Sequence, residues 1–192
     1  SAQHSCVFLS KNIQGLRFKE MRPFRRDMQI VFQDPFGALS PRMSVGDIVA
    51  EGLSVHQRSL SDAEREARVV KALNDVGLDP ATRFRYPHEF SGGQCQRISI
   101  ARAVITDPKL IICDEPVSAL DVSVQAQILN LLEEMKQRYG LTLVFIAHDL
   151  AVVKNISDRV AVMYLGKMCE IGPPDALYDT PAHPYTRALI SS

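Results

Sequence analysis

Two adjacent carboxylates, Asp114 and Glu115, directly follow the apolar run Leu110–Cys113. Ligands in open parallel sheets bind at the carboxyl ends of strands, so this pair lies where a substrate is expected. The aspartate could hold a magnesium ion against the β- and γ-phosphates of a nucleoside triphosphate. The glutamate could orient or deprotonate the attacking water, which is worth about 10²–10⁴-fold in rate. From the pair alone, an acidic cap on the next turn is an equally good interpretation.

A serine followed by two glycines and a glutamine, Ser91–Gln94, forms a second candidate site. Gly92 and Gly93 carry no side chain, so their backbone amides can approach a phosphate, and a following helix points its positive end at it. The hydroxyl of Ser91 could add a further donor. The alternative is a glycine-rich turn with a serine N-cap, which is common in proteins.

Two further polar residues follow apolar runs that read as strands. Gln33 comes after Gln29–Phe32 and offers an amide that could hold a metal ion or a water molecule. His148 comes after Leu141–Ala147 and could reach a γ-phosphate from a neighbouring strand. Taken alone, a strand-end histidine is more often a turn residue, and a loop glutamine is uninformative. Their significance depends on their order and spacing relative to the other two sites.

Composition excludes several classes of protein. The 22 basic and 22 acidic residues cancel, so a global electrostatic attraction to nucleic acid is not indicated. No apolar run reaches the length of a membrane span, and no signal-peptide pattern opens the chain. The four cysteines form no Cys-x-x-Cys pair, which argues against a cysteine metal site. Cys113 lies in an apolar run and is expected to be a buried, reduced thiol, which fits a reducing compartment. The basic first thirty residues indicate a solvated face, or else a surface for an acidic partner or lipid headgroups.

The remaining pattern predicts the elements that position these residues. The apolar runs Lys109–Cys113 and Leu141–Ala147 are typical of strands buried on both faces of a parallel sheet. Between them, an apolar stripe from Val124 to Met135 predicts a crossover helix that Gly140 ends.

Upstream of this unit, residues 45–107 have a helical pattern. Ser61–Glu64 forms a capping box, Gly77 ends the helix that follows, and a second helix is predicted from about Gly93 to Thr106. The other predicted segments are short strands and turns over 5–32, a loop over 36–46, a hairpin over 159–171 and a short helix over 186–190.

The motifs together resemble those of the ATP-binding-cassette (ABC) ATPases, over essentially the whole chain. The matching segments are the Q-loop glutamine Gln33, the signature motif Ser91–Gln94, the Walker B pair Asp114 and Glu115, the D-loop Ser118–Asp121 and the switch histidine His148. The resemblance implies catalytic roles for Glu115, His148 and Gln33, metal contacts from Asp114 and Gln33, and nucleotide contacts from Ser91, Gly92, Gly93, Gln94 and Asp121.

The same resemblance implies an α/β fold: a partial P-loop NTPase (RecA-like) ABC ATPase core with an α-helical signature subdomain. We expect residues 1–44 to hold the N-terminal strands and the Q-loop, and residues 45–107 to form the α-helical signature subdomain. Residues 108–192 would be the back half of the RecA-like core with a C-terminal hairpin and helix.

Three segments, Phe32–Arg42, Tyr86–Phe90 and His183–Leu189, are similar to those of dipeptide and oligopeptide importers. The implied function is to couple ATP hydrolysis to peptide uptake, with ATP and Mg²⁺ as cofactors. The implied partners are transmembrane permease subunits and a second ABC ATPase, identical or different. No nucleic-acid partner is implied. The chain would then lie peripherally at the cytoplasmic face of the inner membrane, bound only through its partners.

The chain also departs from the family pattern. No Gly-x-x-x-x-Gly-Lys-Ser/Thr loop occurs in the 192 residues, and Cys95 stands where arginine or glutamine is usual. We therefore expect weak nucleotide binding and no appreciable turnover by the chain alone, and hydrolysis in a longer parent protein. The alternatives are a truncated, non-hydrolytic cassette that acts as a binding or regulatory module, and a soluble ABC ATPase. We also expect apolar sheet surface to be left uncovered, which favours self-association or marginal stability. The transported substrate is left open among dipeptides, longer peptides, glutathione and nickel complexes.

Overall fold

The computed structural model describes residues 5–191. Its strands are β1 (Val7–Phe8), β2 (Lys11–Asn12), β3 (Met28–Val31), β4 (Leu110–Asp114), β5 (Thr142–Ile146), β6 (Val160–Tyr164) and β7 (Lys167–Gly172). Its α-helices are α1 (Phe18–Met21), α2 (Phe24–Asp27), α3 (Val45–His56), α4 (Asp62–Asp75), α5 (Gly92–Val104), α6 (Val122–Tyr139), α7 (Leu150–Ile156), α8 (Pro174–Asp179) and α9 (Pro184–Ser191). Two 3₁₀ helices, Pro80–Phe84 and Pro87–Glu89, precede α5.

A parallel three-stranded sheet in the order β3-β4-β5 carries the candidate site. Ile30 pairs with Ile112, and Ile112 pairs in turn with Val144. The 18-residue helix α6 connects β4 to β5, as a parallel pairing requires a long crossover. Gly140 ends this helix in the left-handed conformation, with φ of 62°. The predicted strand–helix–strand unit is therefore confirmed.

Only one face of this sheet is covered by helices in the part of the chain that the structure describes. On the covered face, Val31, Ile111 and Cys113 belong to one core cluster with buried residues of α5 and α6. On the opposite face, Ile30, Val144 and Ile146 are 41%, 45% and 47% exposed. The prediction that both strands are buried on both faces is thus wrong for β5, because no described helix covers that side. The expectation of uncovered apolar sheet surface is confirmed.

Helices α3, α4 and α5 pack against one another. They lie in the chain segment that connects β3 to β4, where the sequence predicts a helical region. The predicted capping box is present: the Ser61 amide donates to the Glu64 carboxylate at 2.8 Å, and the Glu64 amide donates to the Ser61 hydroxyl at 3.3 Å. Gly77 has φ of +73°, and the next amide, that of Leu78, donates back to the Leu73 carbonyl at 2.9 Å. Each local signal for a helix end is confirmed.

The prediction of only strands and turns over residues 5–32 is wrong in part, because α1 and α2 form there. The backbone amide of Arg17 donates to the Glu20 carboxylate at 2.7 Å at the start of α1. A four-residue turn is too short to show helical periodicity, so the sequence pattern could not reveal it. The predicted hairpin (β6–β7) and last helix (α9) are present. Within residues 5–191, no helix has the length and hydropathy of a membrane span.

Candidate functional site

Glu115 and His148 meet at the carboxyl edge of the sheet. Asp114 and Ile146, the last residues of β4 and β5, pair with each other, and the next amide, that of Glu115, donates to the Ile146 carbonyl at 2.9 Å. Nδ1 of His148 lies 3.2 Å from Oε1 of Glu115. The His148 side chain is 73% exposed and that of Glu115 is 28% exposed, so a ligand can reach both. The structure therefore joins two residues that the sequence separates by 33 positions.

The backbone of Glu115 adopts a conformation that is uncommon for a residue with a side chain. Its φ is +47°. Its carbonyl accepts the Ser118 amide at 3.2 Å and the Ser118 hydroxyl at 3.1 Å, which closes the turn after β4. Because its own amide also donates to the Ile146 carbonyl of β5, the backbone of Glu115 is held on both sides of its Cα atom.

Asp149 fixes the loop that carries His148. Its Oδ1 accepts the backbone amides of Ala151 at 2.9 Å and Val152 at 3.2 Å, so it caps the start of α7. The cap sets the direction in which the chain leaves β5, and it leaves the imidazole of His148 exposed beside Glu115.

Asp114 and Gln33 supply oxygen donors at this same edge. Val31, the end of β3, pairs with Cys113, so Gln33 follows its strand at the level where β4 ends. Both side chains are exposed. Within residues 5–191, no group of three or more His, Cys, Asp or Glu could hold a metal ion. Mg²⁺ usually takes one or two protein oxygens together with phosphates and waters, so this donor set fits Mg²⁺ that arrives with a nucleotide.

The segment Ser91–Gln94 begins the 13-residue helix α5 as a capping box. The Ser91 hydroxyl accepts the Gln94 amide at 3.3 Å, and the Gln94 side chain accepts the Ser91 amide at 2.9 Å. The serine N-cap considered from the sequence is therefore present. It is compatible with anion binding, because the free amides at a helix N-terminus still point outward.

The two glycines after Ser91 have different surroundings. A Cβ atom on Gly93 would lie 2.5 Å from Cγ1 of Val124 in α6, whereas one on Gly92 would lie 3.5 Å from Cδ2 of Leu120. The signature segment thus packs directly against the start of α6 and the turn before it. Gly93 is required by this packing, and Gly92 is not.

Asp121 caps α6 in this chain. Its carboxylate accepts the Val124 amide at 3.0 Å, and this hydrogen bond lowers the pKa of Asp121 below its ordinary value. The residue is exposed at the end of the turn that Ser118 begins. A nucleotide contact from Asp121 stays a prediction.

Cys113 and Cys95 are buried thiols. Burial raises the pKa of Cys113 to about 12 and that of Cys95 to about 11. Both groups are therefore protonated near neutral pH, and neither is a reactive thiolate. The sequence-based interpretation of Cys113 as a buried thiol is confirmed.

Two glutamines that the sequence analysis missed hold loops of the site. The amide of Gln125 donates to the carbonyls of Val117 and Leu120, each at 3.0 Å, and the residue lines the same depression as Glu115. Gln96 is fully buried in α5 and donates to two loop carbonyls. The sequence signal for Gln96 is its polarity among the mostly apolar buried positions of α5.

Curated relatives match nearly the whole chain. The chain is 57% identical over 186 residues to the oligopeptide transport ATP-binding protein OppF of Escherichia coli, a match that covers 97% of this chain and 56% of the relative. It is 54% identical over 187 residues to OppF of Bacillus subtilis, covering 97% and 61%. The chain thus spans a little over half the length of these relatives.

A solved structure and a family match complete the comparison. The structure of cbiO1 from Clostridium perfringens, part of the ABC transporter complex cbiONQ, superimposes with a TM-score of 0.80 at 32% identity. The match covers 91% of this chain and 67% of that one. Residues 3–118, more than half of the sequence, match the ABC transporter family. On these grounds the chain belongs to the ABC transporter family.

Proposed function

We propose that this chain is part of the ATP-hydrolysing subunit of an ABC importer that takes up peptides. The observation that carries the proposal is the approach of His148 Nδ1 to Glu115 Oε1, at 3.2 Å, beside Asp114 at the carboxyl edge of a parallel sheet. Relatives that are 54–57% identical are named as oligopeptide transport ATP-binding proteins, which supports the peptide class of substrate.

In the proposed mechanism, Glu115 accepts a hydrogen bond from the attacking water and takes its proton. The exposed imidazole of His148 lies against that carboxylate and orients it toward the same water. Asp114 and the amide oxygen of Gln33 would hold Mg²⁺, which neutralises charge on the phosphate oxygens when it is bound. The hydrogen-bonded, left-handed backbone at Glu115 fixes the point from which its side chain starts, and His148 is the side chain that contacts its carboxylate.

The proposal also assigns the signature segment and the partners. Ser91–Gln94 would contact the nucleotide held by a second ABC ATPase, identical or different, and this chain would receive the corresponding segment in return. Transmembrane permease subunits would hold the pair at the cytoplasmic face of the membrane. The proposal further requires a phosphate-binding loop from sequence outside these 192 residues, because none occurs within them.

The test uses the complete polypeptide that contains this chain, assembled with its permease in lipid vesicles. We expect Glu115→Gln to lower ATP turnover by about 10²–10⁴-fold, while Mg-ATP binding measured by calorimetry is retained. Glu134→Gln, on the exposed side of α6, is the matched control and should leave turnover unchanged. Unchanged turnover in Glu115→Gln would refute the mechanism, and binding without any hydrolysis in the parent would favour a regulatory module.

A further inference from the structure

Gln96 lies on α5, five residues after Ser91, and its side chain is fully buried. Its Nε2 donates to the carbonyl of Pro116 at 2.7 Å and to the carbonyl of Phe32 at 3.2 Å. Pro116 is the residue after Glu115, and Phe32 is the residue before Gln33. A single amide group therefore ties together the backbone on which two candidate site residues are mounted.

The chemistry of these two bonds suits a positioning role. β3 ends at Val31 and β4 ends at Asp114, so both carbonyls lie just beyond the last paired residues of their strands. Buried backbone carbonyls need a partner, and the NH₂ group of a glutamine supplies two donors from one side chain. Removing that group would leave the Pro116 carbonyl unpaired in the interior and would free the part-buried Phe32 carbonyl.

Packing alone does not account for a glutamine at this position. Its Oε1 is buried and has no hydrogen-bond partner among residues 5–191. Burying an unpaired polar atom is costly, and a methionine of similar volume would fill the same space without that cost. Only the two hydrogen bonds donated by Nε2, which hold the chain just after β3 and β4, offset the cost of burying this oxygen.

We infer that Gln96 is a positioning residue that couples the signature helix α5 to Gln33 and Glu115. Because α5 is a continuous helix from Gly92, a displacement of its first turn moves Gln96, and Gln96 moves the carbonyls of Phe32 and Pro116. Under the proposed function, the first turn senses the nucleotide of the opposite site. A change in the position of this turn when nucleotide binds would then shift Gln96, and with it Glu115 and Gln33 of its own site.

The first test needs no catalysis and uses the 192-residue chain. Gln96→Met removes both donated bonds, and Ser99→Ala is the matched control because Ser99 is buried on the same helix and its hydroxyl has no partner among residues 5–191. We expect hydrogen exchange of the amides at Ala38 and Ser118, which close the two loops, to quicken at least about tenfold in Gln96→Met only.

Equal exchange in Gln96→Met and the unmodified chain would overturn the inference, as would equal acceleration in Ser99→Ala. Gln96→Leu is a second variant in case the methionine variant does not fold. It has no hydrogen-bond donor and brings no charge into the buried site, and it should show the same two loops released.

The second test depends on the proposed function and uses the complete polypeptide. We expect Gln96→Met to lower kcat about 10- to 100-fold with little change in the KM for ATP, because the site residues are displaced and substrate contacts remain. In a Glu115→Gln background the same substitution should have no further effect on kcat. A purely structural role would instead lower kcat equally in both backgrounds. If the parent shows no ATP turnover, the proposed function fails, and the exchange measurement still decides the role of Gln96.

Discussion

Single side chains around the site fall into two groups. Ser91, Asp121 and Asp149 each accept a backbone amide at the start of a helix and so hold the backbone in place. Gln33 and His148 stay exposed at the ends of their strands. The first group fixes geometry before a ligand arrives, and the second group is free to meet it, which is the arrangement that favours transition-state stabilisation.

The two glycines of the signature segment give a residue-scale prediction. Gly93→Ala places a methyl group 2.5 Å from Val124, a β-branched helical residue that cannot rotate away easily. Overpacking of about 1–3 kcal/mol then exceeds the gain of up to about 1 kcal/mol from replacing a helical glycine. We expect Gly93→Ala to lower the free energy of unfolding in urea titrations.

Gly92→Ala is the matched comparison for this prediction. Its Cβ would be 3.5 Å from Leu120, an ordinary contact distance. The variant should unfold at the same or slightly higher urea concentration than the unmodified chain. Equal destabilisation by the two alanines would show that the packing against Val124 does not decide the outcome.

At the scale of elements, an ion cluster joins the end of α4 to the end of α6. The Asp75 carboxylate accepts Lys71 Nζ at 2.6 Å, Arg138 at 2.7 Å and the Tyr139 hydroxyl. Burial alone would raise the pKa of Asp75, but the hydrogen bonds from Lys71 and Tyr139 lower it overall. The cluster thus holds the helical region against the crossover helix of the sheet.

Asp75→Asn should weaken this junction in a pH-dependent way. At neutral pH we expect a loss of about 1–3 kcal/mol in the free energy of unfolding, since charged hydrogen bonds are removed at a site that is 13% exposed. Because the folded-state pKa is depressed, this contribution is present above the ordinary value of 3.8 and disappears as pH falls through the lower folded value. The difference between variant and unmodified chain should therefore shrink in acid.

Asp158→Asn provides the control for this prediction. Asp158 pairs with Lys136 at 3.1 Å, but its side chain is 86% exposed, so the pair is worth no more than about 1 kcal/mol. Urea titrations from pH 7 to pH 3 would compare the two variants. A loss in Asp75→Asn that matched that of Asp158→Asn at every pH would argue against the junction.

For the whole molecule, the open sheet face governs behaviour in solution. Ile30 and Val144 both pair with Ile112, on either side of it, and both are more than 40% exposed. The net charge of zero provides little electrostatic repulsion between copies. An apolar face without repulsion favours association of the isolated chain.

We therefore expect concentration-dependent self-association of the 192-residue chain in sedimentation velocity. Ile30→Thr combined with Val144→Thr should reduce it, because threonine keeps the branched shape and lowers the apolar area. Val122→Thr, at a residue 81% exposed on α6 and away from the sheet, is the control and should change nothing. A monodisperse monomer with a cooperative, high-temperature melt would contradict this prediction.

Sequence patterns predicted the position of the main helices and strands better than which of their faces are buried. The crossover helix from Val122 to Tyr139 and the hairpin of β6 and β7 were predictable, because periodicity and turn residues are properties of short segments. The exposed side of β5 was not predictable, since an unbroken apolar run does not say which faces receive helices. The helices α1 and α2 were missed because one turn carries no period.

In the candidate site, too, local features were predictable from the sequence and contacts between distant segments were not. The sequence by itself determined the residue types at strand ends and the caps at Ser61, Gly77 and Gly140, because a cap depends on atoms within a few residues. Only the tertiary structure decided that Gln96 reaches carbonyls 64 and 20 positions away. It alone also set the approach of His148 to Glu115 and left one sheet face open. The physical reason is that these features depend on the packing of segments that are distant in the chain, which no local pattern records.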